Sequence, residues 1–118
     1  IYQSRNIDMV NLGKIHTGDT NTDIQITCQN TTTSDTNVAI DFSTDTATYQ
    51  IIIIDPDDNE STHTASLLNS PGTDGVIHFV NGDSTLFDEA GVWGFKAKLT
   101  FDAGGVFTTN PIFKEVLG

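Results

Sequence analysis

The hydrophobic and polar positions alternate most regularly between Leu86 and Phe101, in the stretch LFDEAGVWGFKAKLTF. From Trp93 onward, every second residue is apolar and most of the residues between them are polar. The apolar set is Trp93, Phe95, Ala97, Leu99 and Phe101. Because a period of two places alternate side chains on opposite faces of a sheet, this segment is predicted to be a half-buried strand. The preceding residues 88–91 (DEAG) indicate a tight polar corner.

Further strands are predicted wherever alternation or β-branched residues recur between turn residues. The predicted ranges are 23–29, 38–42, 47–54, 61–68, 75–80 and 106–116. Pro111 in the last range implies an edge position, a bulge or a break. Residues 1–16 are either one short strand interrupted near Gly13 or an N-terminal arm followed by a strand. The pattern therefore predicts one all-β domain over 1–118, a β-sandwich of seven to eight antiparallel strands.

The chain has 118 residues and a formal net charge of −11, from 16 acidic and 5 basic residues. Such a surface repels phosphates, so neither nucleic acid nor an anionic membrane is expected as a partner. No apolar run approaches the roughly 18 residues that suggest a transmembrane helix. Cys28 is the only cysteine and cannot form a disulfide within the chain, so we expect it to be a small buried apolar residue.

The acidic turn at 55–60 raises the question of a calcium site. Asp55, Asp57 and Asn59 match the first ligand spacing of an EF-hand loop. The match then fails, because Glu60 stands where glycine is required and Ser66 where a bidentate glutamate belongs. A solvated turn is the favoured interpretation, calcium is the weaker alternative, and no other cofactor is expected.

The sequence contains no recognisable set of catalytic residues. The three histidines lack metal-ligand spacing, and no serine lies in a G-x-S-x-G motif. We therefore assign no catalytic residues and predict that the chain is not an enzyme. Tyr2, Tyr49 and Trp93 could form a sugar-binding platform, but a core or corner role is favoured for Trp93.

The most apolar stretch is ATYQIIII at 47–54, which ends in four isoleucines. Such a strand is either covered on both faces or presents its outer face to a partner. If Ile52 and Ile54 point away from the core, they make an exposed patch that needs covering. A partner and other parts of the same chain are equally suited to cover it, so Ile52 and Ile54 are interface candidates.

The corner before the long strand resembles a motif of immunoglobulin-like sandwiches, in which an acidic residue, a small residue, an aromatic residue and a cysteine alternate with other residues. The matching stretch here is Glu89, Ala90, Gly91, Val92, Trp93, Gly94 and Phe95. The resemblance implies that Trp93 replaces the corner tyrosine and Phe95 the second cysteine. It also implies that Cys28 takes the place of the first cysteine and packs against Phe95. The implied fold is an immunoglobulin-like β-sandwich.

A narrower resemblance, from about residue 41 to 113, is to the immunoglobulin-like N-terminal domain of phage baseplate upper proteins. It is carried by a strand that ends in an Asp-Pro-Asp turn (Tyr49 to Asp58), the segment Leu86 to Trp93, and a closing hairpin (Lys98 to Phe107). This resemblance implies a non-enzymatic structural protein of the virion, in the tail or baseplate, that oligomerises or assembles with other virion proteins. The alternative is a surface- or carbohydrate-binding immunoglobulin-like module of a bacterial extracellular protein, which predicts either an exposed aromatic platform or a calcium site on the acidic turns.

Overall fold

The computed structural model describes residues 5–10, 13–31 and 37–118, with side chains described in 13–29 and 38–118. All the regular elements among these residues are β-strands, which confirms the all-β prediction. The strands of the described segments are β1 (Arg5–Val10), β2 (Ile15–His16), β3 (Thr22–Thr31), β4 (Asn37–Ala39), β5 (Ala47–Ile54), β6 (Glu60–Leu67), β7 (Val76–Asn81), β8 (Gly91–Phe101), β9 (Val106–Thr108) and β10 (Ile112–Leu117).

Eight of these strands form the main path of one curled sheet, in the order β1-β3-β7-β6-β5-β8-β10-β2. β4 pairs with β3, and β9 pairs with β8 beyond the end of β10. Neighbouring strands are antiparallel except β2, which runs parallel to β10. The described strands thus number ten, where seven to eight were predicted, and the sheet is mixed, where only antiparallel pairs were expected.

The curl of the sheet depends on β6, which changes its pairing partner along its length. The segment from Glu60 to Ala65 pairs with β5. Ser66 and Leu67 pair with β7 instead. Side chains from β3 and β7 therefore meet side chains from β5 and β8 in one shared core.

The core lies on the inner face of the curled sheet. β8 contributes Trp93, Phe95, Ala97 and Leu99, as its alternation predicted. The other members are Ile15, Ile24, Ile26, Cys28, Ile40, Phe42, Ile51, Ile53, Ala65, Ile77, Phe87, Phe107 and Val116. Burying a large apolar side chain stabilises a protein by about 1.5–3 kcal/mol relative to leaving it exposed, so this core holds the two halves of the sheet together.

The predicted strand at 106–116 is two strands, which confirms a break at Pro111. Thr109 bridges the gap through two hydrogen bonds to Ala97 of β8. Its backbone N–H donates to the Ala97 carbonyl at 2.9 Å, and its hydroxyl accepts from the Ala97 N–H at 2.9 Å. The ladder along β8 therefore continues into the gap between β9 and β10.

Two other predicted segments have different limits in the structure. The strand predicted at 38–42 ends at Ala39. The segment predicted as a strand or an arm, 1–16, supplies β1 beside β3 and β2 beside β10. The prediction of an arm falls partly on residues 1–4 and 11–12, which lie outside the described residues.

Candidate functional site

The interface candidates Ile52 and Ile54 lie on the outer face of the sheet. Ile51 and Ile53 belong to the core cluster. Because side chains alternate between the two faces along β5, Ile52 and Ile54 point outward. Ile52 is nevertheless only 7% exposed. It is paired across the strands with Thr62 and Lys96. Because a lysine stem can cover apolar surface while its ammonium stays in water, Ile52 is mostly covered by its own chain.

Ile54 lies in a more open part of the same face, beside two further apolar residues. Its neighbour on β8 is Gly94, and the neighbour of Gly94 on β10 is Phe113. A Cβ added to Gly94 would lie 3.1 Å from Phe113 Cε1 and 3.3 Å from Ile54 Cδ1. The Phe113 ring therefore extends over Gly94 toward Ile54, and yet Phe113 is 65% exposed.

Val92 completes this apolar surface at 57% exposure, one outward position from Gly94 along β8. We call Ile54, Val92 and Phe113 the outer patch. An apolar patch that is bordered by polar residues is a common feature of protein–protein contact surfaces. Of the three members, only Ile54 was proposed from the sequence. Val92 and Phe113 were missed because single apolar residues in a strand carry no signal of exposure.

Charged residues border the outer patch on both sides along the strands. On one side lie Lys96 and Lys98, and on the other lies Glu115, the cross-strand neighbour of Val92. Lys96 Nζ is 3.3 Å from Glu60 Oε2. Within the described part of the chain, Lys98 has no carboxylate within ion-pair distance. The outer face therefore carries its positive charge at one end.

The opposite end of the outer face adjoins the acidic turn between β5 and β6. Asp55 Oδ1 accepts hydrogen bonds from the backbone N–H groups of Asp57 at 2.9 Å and Asn59 at 2.8 Å. The Asn59 side-chain amide also donates to Asp55 Oδ2 at 3.2 Å. Asp58 takes a left-handed conformation with φ 67°. Asp55 thus organises a hairpin turn, as its sequence context predicted.

The structure brings a different third residue to the calcium candidate. Carboxylate oxygens of Asp55, Asp57 and Glu89 all lie within 4.8 Å of one another, and we call these residues the acidic cluster. A hydrogen bond to Asp57, with smaller effects of burial and of repulsion by neighbouring carboxylates, raises the pKa of Glu89. The sequence did not indicate Glu89 as a metal ligand, because Glu89 lies in a different connection, between β7 and β8.

The corner residues connect this turn to the start of β8. The Trp93 indole Nε1–H donates to the Glu89 carbonyl at 3.1 Å, and the Trp93 ring packs edge-on against Phe87 with centroids 5.1 Å apart. Gly91 has φ 142°, and a Cβ there would lie 2.9 Å from Pro56 Cγ. The glycine therefore permits both the backbone conformation and the close approach of the turn.

The remaining corner residues are structural. Phe95 and Cys28 are both fully buried members of the core. Burial raises the pKa of the Cys28 thiol to about 12, so the reactive thiolate is scarce near neutral pH. Neither side chain offers a reactive group to a ligand.

The aromatic candidates for sugar binding do not form a surface platform within the described residues. Trp93 is only 3% exposed, and Tyr49 packs edge-on against Phe42 with ring centroids 5.0 Å apart. Tyr2 lies outside the described residues. A cleft of about 280 Å³ does open beside Trp93, with Leu86 and Ile53 among its lining residues and carboxylates at its edge.

The three histidines lie apart and have separate surroundings. His78 Nδ1 is 2.9 Å from Asp23 Oδ1 on the outer face of β3 and β7. His63 stacks on Phe79, and burial lowers its pKa. Within the described part of the chain, no histidine joins a group of three potential metal ligands.

Comparison with protein-family models, curated proteins and solved structures finds no significant match for this chain. Among the described residues there is no helix that is long and apolar enough to cross a membrane. The functional assignment therefore depends on the outer patch, the charges beside it and the acidic cluster.

Proposed function

We propose that this chain is a non-enzymatic structural domain with an immunoglobulin-like fold that assembles through the outer face of its β5–β8–β10 sheet. The pairing pattern supports the fold. Immunoglobulin domains place strands A, B, E and D in one sheet and C, F and G in the other. If β1, β3, β7 and the end of β6 correspond to strands A, B, E and D, each of these strands pairs with the next in that order. Likewise β5, β8 and β10 pair in the order of strands C, F and G.

The Trp93 corner also supports an immunoglobulin-like fold. In that fold a tyrosine near the start of strand F, two residues before the second cysteine, donates a hydrogen bond to the backbone a few residues upstream. Trp93 lies near the start of β8, two residues before the buried Phe95, and donates to the Glu89 carbonyl. An indole N–H thus serves in place of a phenol hydroxyl.

The observation that carries the functional proposal is the exposure of the outer patch. Phe113 and Val92 are 65% and 57% exposed, although they are strand residues next to a half-buried isoleucine. Covering such apolar surface with a partner is favourable by about 25 cal/mol for each Å² removed from water. Assembly then needs no chemistry beyond burial of this face, which suits a structural protein.

The virion is the location that we propose, in a phage tail or baseplate. This part of the proposal is supported by the sequence resemblance over residues 41–113. The acidic turn of that resemblance forms the β5–β6 hairpin, and its closing segment forms β8 and β9. Copies of the same chain and other virion proteins are the proposed partners.

The proposal is tested by light scattering over a concentration series, with the wild type compared to Phe113→Ser and Val92→Ser. We expect both substitutions to reduce association. Val80→Ser is the matched control, because Val80 is a strand valine of similar exposure, 48%, on β7. If Val92→Ser associates as strongly as Val80→Ser, and Phe113→Ser associates as strongly as the wild type, assembly through this face is contradicted.

The alternative function, a calcium-dependent binding module of a bacterial extracellular protein, would use the acidic cluster. Repeating the measurements with calcium and with a chelator separates the two functions. A monomer whose melting temperature rises with calcium but not with magnesium would contradict the structural assignment in favour of the binding module. A calcium-insensitive oligomer is the result that we expect.

A further inference from the structure

We propose that β6 binds an extended, basic segment of a partner protein, which pairs with the unpaired edge of this strand and places an arginine or lysine side chain in the cleft beside Trp93. The outer patch lies on a face of the sheet, whereas this second surface is the edge that β6 presents away from β5. The two surfaces are therefore separate, and neither depends on the other.

The hydrogen bonds of the β5–β6 hairpin determine which backbone groups of β6 point away from β5. The Asp55 N–H donates to the Asn59 carbonyl at 2.9 Å. Hydrogen-bonded and non-hydrogen-bonded pairs alternate along an antiparallel ladder, so every second residue from Ser61 onward bonds to β5. The N–H and C=O groups of the residues between them point to the other side of β6. We call these groups the free edge, and they belong to Glu60, Thr62 and Thr64.

The same side of β6 is paired farther along the chain, but only there. Ser66 pairs with His78, and the Leu68 N–H donates to the Val76 carbonyl at 3.1 Å, so this part is bonded to β7. Toward the start of β6 the two strands diverge. Within the described segments, no residue is hydrogen-bonded to the free edge.

Unpaired N–H and C=O groups at the edge of a sheet are a template for a further strand. Proteins often protect such edges with lysine, proline or a bulge. Residues 60–64 (ESTHT) contain neither lysine nor proline, and their register with β5 is continuous. An extended segment of another protein can therefore add to β6 through main-chain hydrogen bonds.

The cleft beside Trp93 adjoins the free edge and has an apolar floor. It lies between Ser61 of β6 and residues 83–88 of the connection that follows β7. Ile53 and Trp93, at 1% and 3% exposure, are its most buried lining residues. Its volume of about 280 Å³ is below the range of about 300–1,000 Å³ that is usual for drug-sized ligands. A cleft of this size suits a single long side chain.

Carboxylates surround the mouth of the cleft. Asp83 and Asp88 line it from the β7–β8 connection, and both are exposed. Hydrogen bonds from the backbone N–H and the hydroxyl of Thr85 lower the pKa of Asp83, so its carboxylate is ionised at neutral pH. The Asp88 carboxylate has no hydrogen-bond or ion-pair partner among the described residues, and it is therefore available to a ligand.

No described basic residue lines the cleft to neutralise these carboxylates. Glu60 also borders the cleft, but its carboxylate is 3.3 Å from Lys96 Nζ. Lys114, the cross-strand neighbour of Trp93, lies on β10, on the other side of β8 from β5 and β6. The stem of an arginine or lysine can lie on an apolar floor while its charged head meets carboxylates, so a basic side chain matches this cleft.

The register of an added strand connects the free edge with the cleft. Ser61 lies opposite Ile53 and shares its inward face. A partner residue directly opposite Ser61 would point to the same face, with its Cβ about 5 Å from that of Ser61, so a long side chain there reaches the cleft. The net charge of −11 favours a basic partner over a second copy of this chain, because two copies repel each other.

Fluorescence anisotropy of a labelled peptide tests this inference. The arginine peptide is as long as β6, eight residues, and alternates threonine with valine except for one central arginine. Two control peptides carry glutamine or glutamate in place of that arginine. Because a single added strand makes a small interface, we expect a dissociation constant of about 10 μM to 1 mM for the arginine peptide. We expect about tenfold weaker binding of the glutamine peptide and still weaker binding of the glutamate peptide.

Variants of the chain test the cleft and the edge separately. Asp88→Asn should bind the arginine peptide about threefold to tenfold more weakly and the glutamine peptide as the wild type does. Glu115→Gln is the matched control, because it removes the same charge at an exposed position that does not line the cleft. Phe113→Ser should bind the peptide with unchanged affinity, since the outer patch is not involved.

Hydrogen exchange followed by NMR measures the strand pairing itself. With the arginine peptide at saturation, the amides of Thr62 and Thr64 should exchange about tenfold or more slowly, whereas those of Ser61 and His63, which already bond to β5, should change little. Thr62→Pro removes an N–H of the free edge without removing a bond to β5, so it should abolish binding in a chain that circular dichroism shows to be folded.

Four results would overturn the inference. They are no binding of the arginine peptide up to about 1 mM, equal affinity of the arginine and glutamate peptides, bound peptide without slower exchange at Thr62 and Thr64, and a self-association of the wild type that Thr62→Pro abolishes. The last result would show that a second copy occupies the free edge. The light-scattering result for Phe113→Ser bears on the proposed function alone, so the two proposals fail independently.

Discussion

Replacing Trp93 by phenylalanine should destabilise the domain, because this side chain joins the corner to the core. Trp93 is 3% exposed, and its indole N–H donates to the Glu89 carbonyl at 3.1 Å. Phenylalanine keeps an aromatic ring beside Phe87 but has no N–H and is smaller. The corner would lose a hydrogen bond, and a gap would open beside Phe87.

The size of this effect follows from two contributions. The hydrogen bond contributes about 1 kcal/mol to the free energy of unfolding. The lost ring atoms and the incompletely filled space add about 1–2 kcal/mol. The Trp93→Phe variant should therefore lose about 2–3 kcal/mol, which in a domain of this size lowers the melting temperature by roughly 10 °C.

Urea unfolding, with all variants at the same low protein concentration, measures this difference as a shift in midpoint at constant slope. Incorporating a benzothiophene analogue at Trp93, in which sulfur replaces the N–H, isolates the hydrogen bond and should cost about 1 kcal/mol. A loss below about 1 kcal/mol for Trp93→Phe would refute the reasoning that the indole holds the corner. Full stability of the analogue would refute the role of its hydrogen bond.

Two of the shifted pKa values, those of Glu89 and His63, predict opposite responses to pH. The pKa of Glu89 is raised, chiefly by its hydrogen bond to Asp57, so its ionisation costs stability as the pH rises above the ordinary value of a glutamate. Glu89→Gln should therefore raise the melting temperature at pH 7 and raise it less near pH 4, whereas the control Glu115→Gln should change it little at either pH. The pKa of His63 is lowered by burial, so the unfolded chain binds a proton first and stability falls as the pH drops below about 6.5. His63→Phe should remove this part of the loss between pH 7 and pH 5, and His16→Gln, at an exposed position, should not. Thermal scans across pH measure both effects, and parallel curves for a variant and the wild type would contradict the assignment.

The strands that could be predicted from sequence are those whose signal is local. Alternation along β8 identified its inner face. The four consecutive isoleucines of β5 predicted a strand but left open which of them face the core, and the structure places Ile51 and Ile53 there. The break at Pro111 followed from a missing backbone N–H. The change of partner in β6 at Ser66 could not be predicted, because pairing depends on which strands meet in space.

The acidic cluster illustrates the same limit at the level of a site. The turn at 55–60 was predicted correctly, and Asp55 organises it, since the carboxylate of an aspartate readily accepts hydrogen bonds from nearby backbone N–H groups. The spacing suggested Asn59 as the third member, but its amide donates to Asp55 within the turn. Glu89 takes that place because Gly91 lets the β8 corner approach Pro56 closely. A contact of this kind depends on the fold and not on spacing.

The position of Gly94 explains why Ile52 and Ile54 differ, although the sequence presented them as equal candidates. Lys96 faces Ile52 across the strands and has a stem long enough to cover it. Gly94 faces Ile54 and has no side chain, so the Phe113 ring occupies that space from the next strand. Glycine in the interior of a strand lowers its stability, and leaving a phenylalanine ring in contact with water is unfavourable. The stability of the isolated chain does not explain why Gly94 and the exposed Phe113 lie side by side. Their arrangement is explained if another surface covers the Phe113 ring.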